Sequence, residues 1–322
     1  MKEKDCPKTL VEAVRYFADP RIAHDFVASI RWPDGVVKCP RCGASEGLAF
    51  LENQLRWTCK QCRTAKRKWQ FSVKVGTIME DSPIGIDKWL CAMWLIVSAK
   101  NGISSHELHR SLGITQKSAW FLSHRIRLAL QRGSIEKLKG QVEADETFIG
   151  ARARNMHQSK KRRSMYGTAV MKTAVLGLLE RNSPEKPSRV KLKIVESVRR
   201  HDLDPVIREH VEKGSEVHTD KLRSYENLDD EYVHQVIDHA ECYARGHVHT
   251  NGLENFWSLL KRGIRGTYVN VEPFHLFRYL DEQAFRFNER KGTDADRFLA
   301  ALPSIIGRRL TYKGLTGNVG LN

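Results

Sequence analysis

Apolar residues recur at helical spacing near the start of the chain. Val11, Val14 and Phe17, then Phe26 and Ile30, fit two short amphipathic helices parted by Asp19-Pro20. The same period returns in "GISSHELHRSLGITQKSAWFLSHRIRLALQRG", with Leu108 and Leu112 on one helix and Ala119, Leu122, Ile126 and Leu130 on the next. Ser104 or Ser105 suits the first N-cap, Gly113 the turn and Thr115 the second N-cap. With polar Gln116, Lys117 and Ser118 opening the second helix, the pattern is that of a helix-turn-helix, and equally of a plain αα-hairpin.

After Gly140 the period shortens. "QVEADETFIG" (141–150), "AVMKTAVLGLLE" (169–180) and "RVKLKIVESV" (189–198) read as strands. "DLDPVIREHVEKG" reads as a helix, "SEVHTD" (215–220) and "YVHQVID" (232–238) as strands, and 251–262 and about 272–290 as helices. Three strands, a helix, further strands and closing helices predict an α/β (α+β) domain.

Seven cysteines change the picture of residues 35–78. Cys39, Cys42, Cys59 and Cys62 form two C-x2-C pairs sixteen residues apart, and each pair can sit on a tight turn whose thiolates converge on zinc. Short strands between and after the pairs give a zinc ribbon around a structural Zn2+, in a segment too small to bury a core of its own. The other three, Cys6, Cys91 and Cys242, are scattered, so a disulfide scaffold is not expected and a reducing compartment is.

Charge then narrows the partners. Lys and Arg number 54 against 38 Asp and Glu, a formal net charge of +16. Such a surplus points to a polyanion, and it tilts the helical pair toward DNA. No apolar run is long enough to span a membrane, so a cytoplasmic protein with no membrane partner is expected. "ARARNMHQSKKRRS" has six Arg or Lys in its first thirteen residues and no acid; Lys160, Lys161, Arg162 and Arg163 make it a candidate phosphate-gripping arm as well as a solvated loop.

Three acids stand out. Asp145 lies mid-strand, with Glu143 and Thr147 on its face and Ala144, Glu146 and Phe148 on the other. Asp220 ends "SEVHTD", and Glu254 lies on a helix where Asn251, Glu254, Trp257 and Lys261 fall near one face. A strand Asp, a strand-end Asp and a helical Glu can converge on Mg2+ or Mn2+, which take oxygen ligands and suit two-metal phosphoryl transfer. Phe256, Trp257, Leu259 and Leu260 read as the edge that holds this helix to the sheet. His249 reads equally as a loop residue or a phosphate donor.

"VEADETFIG", "VHTDKLRSYENL" and "HTNGLENFWSLLKRGIRGTY" resemble the catalytic blocks of bacterial insertion-sequence transposases of the Merlin-like group, and "CPRC…CKQC" resembles their zinc ribbon. The resemblance spans roughly residues 10–290. It implies an RNase H-like core of the DDE superfamily, with Asp145 and Asp220 as the first two metal ligands and Glu254 or Asn251 as the third. It also implies a DNA contact at Lys261, with Arg262 beside it, and Lys117 is expected to contact DNA from the helix-turn-helix. The expected organisation is an N-terminal helical segment (1–34), zinc ribbon (35–78), helix-turn-helix region (79–135), catalytic domain (136–292) and C-terminal tail (293–322). The expected activity is cleavage at the element's terminal inverted repeats and transfer of the 3′-hydroxyl strands to target DNA, by a homodimer or larger assembly at the nucleoid. The alternatives are a zinc-ribbon DNA-binding regulator or inactive domesticated transposase, and an RNase H-like nuclease that joins no ends.

Overall fold

The computed structural model describes residues 6–131, 136–150, 172–184, 186–237 and 249–317. Lys160, Lys161, Arg162 and Arg163, and also Cys242, lie outside the described residues. The chain divides into two compact units, Met1–Gln131 with Gly292–Asn322, and Arg132–Lys291. Among the described residues no helix is long and apolar enough to cross a membrane.

In the first unit, Thr9 caps α1 (Leu10–Phe17) and Asp19 caps α2 (Pro20–Arg31), so the Asp-Pro pair both ends one helix and starts the next. A small antiparallel sheet follows, from β1 (Leu48–Leu51), β2 (Arg56–Cys59) and β3 (Gln70–Phe71), with the short helix α3 (Lys60–Thr64) between β2 and β3. Helix α4 (Ile86–Ser98) is apolar on nearly every side and forms the centre of this unit, burying Trp89, Leu90, Met93, Trp94, Ile96 and Val97.

The segment 293–322, expected as a tail, begins instead with the helix Asp294–Ala301, and its described residues, 293–317, belong to this unit. Phe298 packs against Trp94, Phe17 and Phe26, with ring centroids 5.0, 6.0 and 6.3 Å away. The reason is legible in retrospect: Phe298, Ala301, Leu302 and Ile305 form one buried stripe at helical spacing.

Helices α5 (Ser105–Leu112) and α6 (Gln116–Leu130) make the expected helical pair. Ser104 and Glu107 form a capping box, and Gly113 takes the left-handed conformation (φ 59°) that turns the chain. Leu122 through Arg127 are buried, so α6 offers solvent chiefly its first turns, where Lys117 is exposed.

The second unit is built on a five-stranded sheet of β4 (Gln141–Ile149), β5 (Thr173–Glu180), β6 (Arg189–Val195), β7 (Glu216–Asp220) and β8 (Val233–Ile237). Its order is β6-β5-β4-β7-β8, antiparallel through the first three strands and parallel from β4 to β7 to β8. This mixed sheet with helices on both faces is the architecture of an RNase H-like core. One face, with Val142, Ala144, Leu176 and Leu178, packs with Leu203 and Ile207 of α7 (Arg200–His210). The other, with Val175 and Leu179, packs with Leu253, Phe256, Trp257 and Leu260 of α8 (Asn251–Gly263) and Leu276 and Leu280 of α9 (Leu276–Asn288). Strand β4 is therefore covered on both faces at the middle of the sheet.

Candidate active site and metal centre

The cysteine cluster is assembled by local turns. The Gly43 amide donates to the Cys39 carbonyl at 2.8 Å, and the Cys62 amide faces the Cys59 sulfur at 3.5 Å. Cys39 and Cys62 bring their sulfurs to 3.7 Å, and Cys42 and Cys59 to 3.6 Å. Four thiolates at the usual Zn–S length on a tetrahedron sit about 3.8 Å apart, so the donor set fits zinc in size and chemistry. The thiols also diverge in acidity. The Ala44 amide draws Cys42 down to about 7, whereas burial and the neighbouring sulfurs push Cys62 up to about 12. Four sulfurs this close become thiolates together only when a cation compensates them.

The carboxylate site is assembled across the sheet. Asp145, at the middle of β4, points toward α8, where the Trp257 indole N–H donates to its Oδ2 at 2.8 Å. The residue opposite Asp145 on β5 is Gly177. A Cβ at Gly177 would stand 2.5 Å from the Trp257 ring, so a glycine is needed for the indole to reach the carboxylate. Burial raises the Asp145 carboxyl to about 6, helped by the charges of Asp220 and Glu254 and opposed by the Trp257 hydrogen bond.

Glu146, on the opposite face of β4, rises to about 7 through burial and the charges of Asp220 and Asp145, although the Tyr225 hydroxyl donates to it. Asp220 ends β7, where its Oδ1 accepts the Leu222 amide at 3.1 Å and so fixes the turn after the strand. Glu254 is exposed in the first turn of α8, with Asn251, the first residue of that helix, exposed as well. Lys261, two turns on, is held below the usual lysine range by burial and by Arg265, while the Asp145 charge opposes that shift. Arg262 beside it is exposed.

The start of α8 is held by a second acid on the Asp145 face. Glu143 is 1% exposed, and its Oε2 accepts the Leu253 amide at 2.9 Å. Its Oε1 accepts from Arg181 Nε at 2.8 Å, and Arg181 also reaches the carbonyl of His249. His249 Nδ1 lies 3.4 Å from the same carboxylate oxygen. Glu143 and His249 thus anchor the helix that carries Glu254. A Cβ at Gly252 would fall 2.8 Å from Glu143, so this close approach also requires a glycine.

The fold brings Asp220, Glu254 and Glu146 each within electrostatic reach of Asp145 and leaves Glu143 in a separate buried pair. Among the described residues, the four cysteines are the one group of three or more such side chains whose ligand atoms all lie within 4.8 Å of each other; the carboxylates are spread more widely. Carboxylate oxygens are hard donors, and two of these groups, Asp145 and Glu146, are raised in pKa by burial and then by neighbouring acid charge, so the set nonetheless fits a divalent cation of the Mg2+ type in chemistry. Trp257, Gly177 and Tyr225 are the site residues that sequence reasoning missed. Trp257 reads as a core residue, which it also is at 4% exposure.

Comparison with known proteins agrees with this architecture. A family described as ISXO2-like transposase domain matches residues 137–288, and one described as transposase zinc-ribbon domain matches residues 21–65. The chain is 27% identical over 261 residues to a protein of Halobacterium salinarum described as an uncharacterized protein in transposable element ISH50, covering 77% of this chain and 84% of that protein. It is 38% identical over 96 residues to an uncharacterized transposase-like protein of Haemophilus influenzae, covering 30% of this chain and 77% of that protein.

Proposed function

We propose, on the premise that the chain belongs to the ISXO2-like transposase family and carries its zinc ribbon, that it cuts DNA at the ends of its element and joins the freed 3′-hydroxyls to target DNA. The observation that supports this most is the gathering of Asp145, Asp220 and Glu254 from a central strand, the end of its parallel neighbour and a covering helix. In this reading Asp145 and Asp220 hold Mg2+ or Mn2+, with Glu254 as the third ligand, or Asn251 one turn before it. A divalent cation held by these residues would supply activation of the attacking oxygen and neutralisation of charge on the leaving oxygen. Trp257 holds one oxygen of Asp145 in place, leaving the other to face substrate and metal. Lys261 and Arg262 take the phosphates of the cleaved strand.

Cleavage by water and transfer to target are the same in-line displacement with different nucleophiles, so one site serves both. Recognition of the inverted repeats falls to the first turns of α6, including Lys117, and to the zinc ribbon, with Lys160, Lys161, Arg162 and Arg163 gripping the backbone. Two ends must meet before joining, so the working form is a homodimer or larger.

The test is incubation of the purified protein with Mg2+ and a supercoiled plasmid carrying the DNA that flanks its gene, beside Asp220→Asn. Metal-dependent nicks at fixed ends, absent in the variant, support the transposition chemistry. Specific binding with no cleavage by either protein replaces it with a DNA-binding regulator.

A further inference from the structure

The segment after α8 combines three features that packing alone does not account for. The helix runs into a π-helical turn, Ile264–Tyr268, and the next residue, Val269, has φ 62° and ψ −56°. The Asn270 amide donates to the Tyr268 carbonyl at 2.7 Å, which closes a γ-turn of the rare positive-φ kind around Val269. A β-branched residue is poorly suited to that backbone, and glycine is the residue that adopts it freely. Strain of this sort persists where the surroundings enforce it, and it concentrates at functional positions.

The surroundings do enforce it. Tyr268 packs edge-on against Tyr279 with centroids 4.7 Å apart, and its hydroxyl donates to Glu282. Glu282 is wholly buried and paired with Arg286, itself buried. The turn is therefore tied by a hydroxyl to a buried ion pair. Beside this anchor two large apolar side chains stand exposed, Val269 at 76% and Phe274, in the turn that follows, at 53%.

This apolar tip follows directly on a cationic helix end. Lys261 and Arg265 lie close enough to repel one another, Arg262 is exposed, and Lys261 also feels the charge of Asp145. Cations that grip phosphate beside a rigid apolar projection are the chemistry of a wedge between base pairs. A protein partner would be matched by the apolar tip alone; the adjoining cations favour a polyanion.

We infer that Val269 and Phe274 form a wedge that unstacks bases of the DNA held at the carboxylate site. This rests on the transposase reading and deepens it, by assigning the segment that opens the duplex where a strand must reach the carboxylates.

The experiment uses the full chain and duplexes copied from the DNA flanking the gene, with 2-aminopurine placed at successive positions and saturation followed by anisotropy. At saturation the wild type and Val269→Ile brighten the probe several-fold at one or two adjacent positions. Val269→Gly, which melts no lower than wild type because it relieves the turn, loses that rise, and Phe274→Ala reduces it. A purely structural role would couple loss of brightening to loss of stability, whereas Val269→Gly separates them. The inference is overturned if the wild type brightens no position, which leaves the tip to a protein partner. Equal brightening by Val269→Gly and wild type overturns it as well. Brightening by a wild type that never cuts its flanking DNA leaves the wedge standing and removes the transposition chemistry instead.

Discussion

The two candidate metal sites of this chain are built in opposite ways. The cysteine site draws four ligands from two tight turns within 24 residues, and its sulfurs already sit at the spacing of a tetrahedral zinc. The carboxylate site draws its acids from β4, β7 and α8, spans over a hundred residues, and leaves its oxygens more widely spread. Soft ligands on a closed local frame make a site that holds structure. Hard ligands on separate elements make one whose geometry depends on the whole core and whose open side admits substrate. The same distinction separates structural from catalytic metal centres in general.

The comparison can be broken most forcefully at the ribbon. Cys62→Ser removes one zinc ligand and exposes a folding contribution on the order of 10 kcal/mol. The expected outcome is loss of bound zinc, measured by release to a chromogenic chelator, and loss of the near-ultraviolet signal of Trp57. A variant that keeps its zinc would show the site to be less closed than its sulfur spacing indicates.

At the carboxylate site the largest single effect is expected from Gly177→Ala. The added methyl meets the Trp257 ring at 2.5 Å and the Leu253 side chain at 2.9 Å. Overpacking of this kind costs about 3 kcal/mol and pushes the indole off Asp145. Urea unfolding measures the first consequence and Mn2+ titration by electron paramagnetic resonance the second. Wild-type values for both would mean that the close approach is not a constraint.

Trp257→Phe sharpens the point by keeping the ring and removing only the N–H donor. Loss of a hydrogen bond to a carboxylate is worth about 1.5 kcal/mol, so Mn2+ affinity is expected to fall about tenfold with little change in melting. An unchanged affinity would reduce Trp257 to a packing residue.

The smallest effect is on pH dependence. Burial raises Asp145 to about 6 and Glu146 to about 7, above the carboxylate values of an unfolded chain. The folded state therefore binds these protons more tightly, and their stabilising contribution, full below about pH 4, is lost as pH rises through 6 to 7. In metal-free protein, Asp145→Asn with Glu146→Gln should flatten that decline, read as a smaller fall in melting temperature between pH 5 and pH 8 than the wild type shows. Mg2+ added to the wild type at pH 8 should recover the loss. A variant with the wild-type slope would place the titration elsewhere.

Much of the fold was legible because it is periodic. The strand–helix alternation after Gly140, the helix break at Asp19-Pro20, the cap at Thr115 and the Gly113 turn are each set by a few neighbouring residues, and each occurs where the pattern placed it. The tail was misread although Phe298, Ala301, Leu302 and Ile305 form a helical stripe, because a helix this short has no stability of its own and only packing on α4 fixes it. Within the candidate site, Asp145 inside a strand and Asp220 at a strand end could be read from their segments. The indole bond to Asp145 could not, since Trp257 reads as a core residue and is one.

The sequence by itself thus determined the four-cysteine cluster and the existence and order of most strands and helices, because turn chemistry and side-chain period act over a few residues. Tertiary structure alone decided that Gly177 faces Asp145, that Trp257 reaches through the space this leaves, and that Glu143 serves the start of α8 and stands apart from the acid cluster. Those relations depend on register across the sheet and on the seating of α8. Register is set by burial of the whole apolar face at once, which no short stretch of the chain encodes.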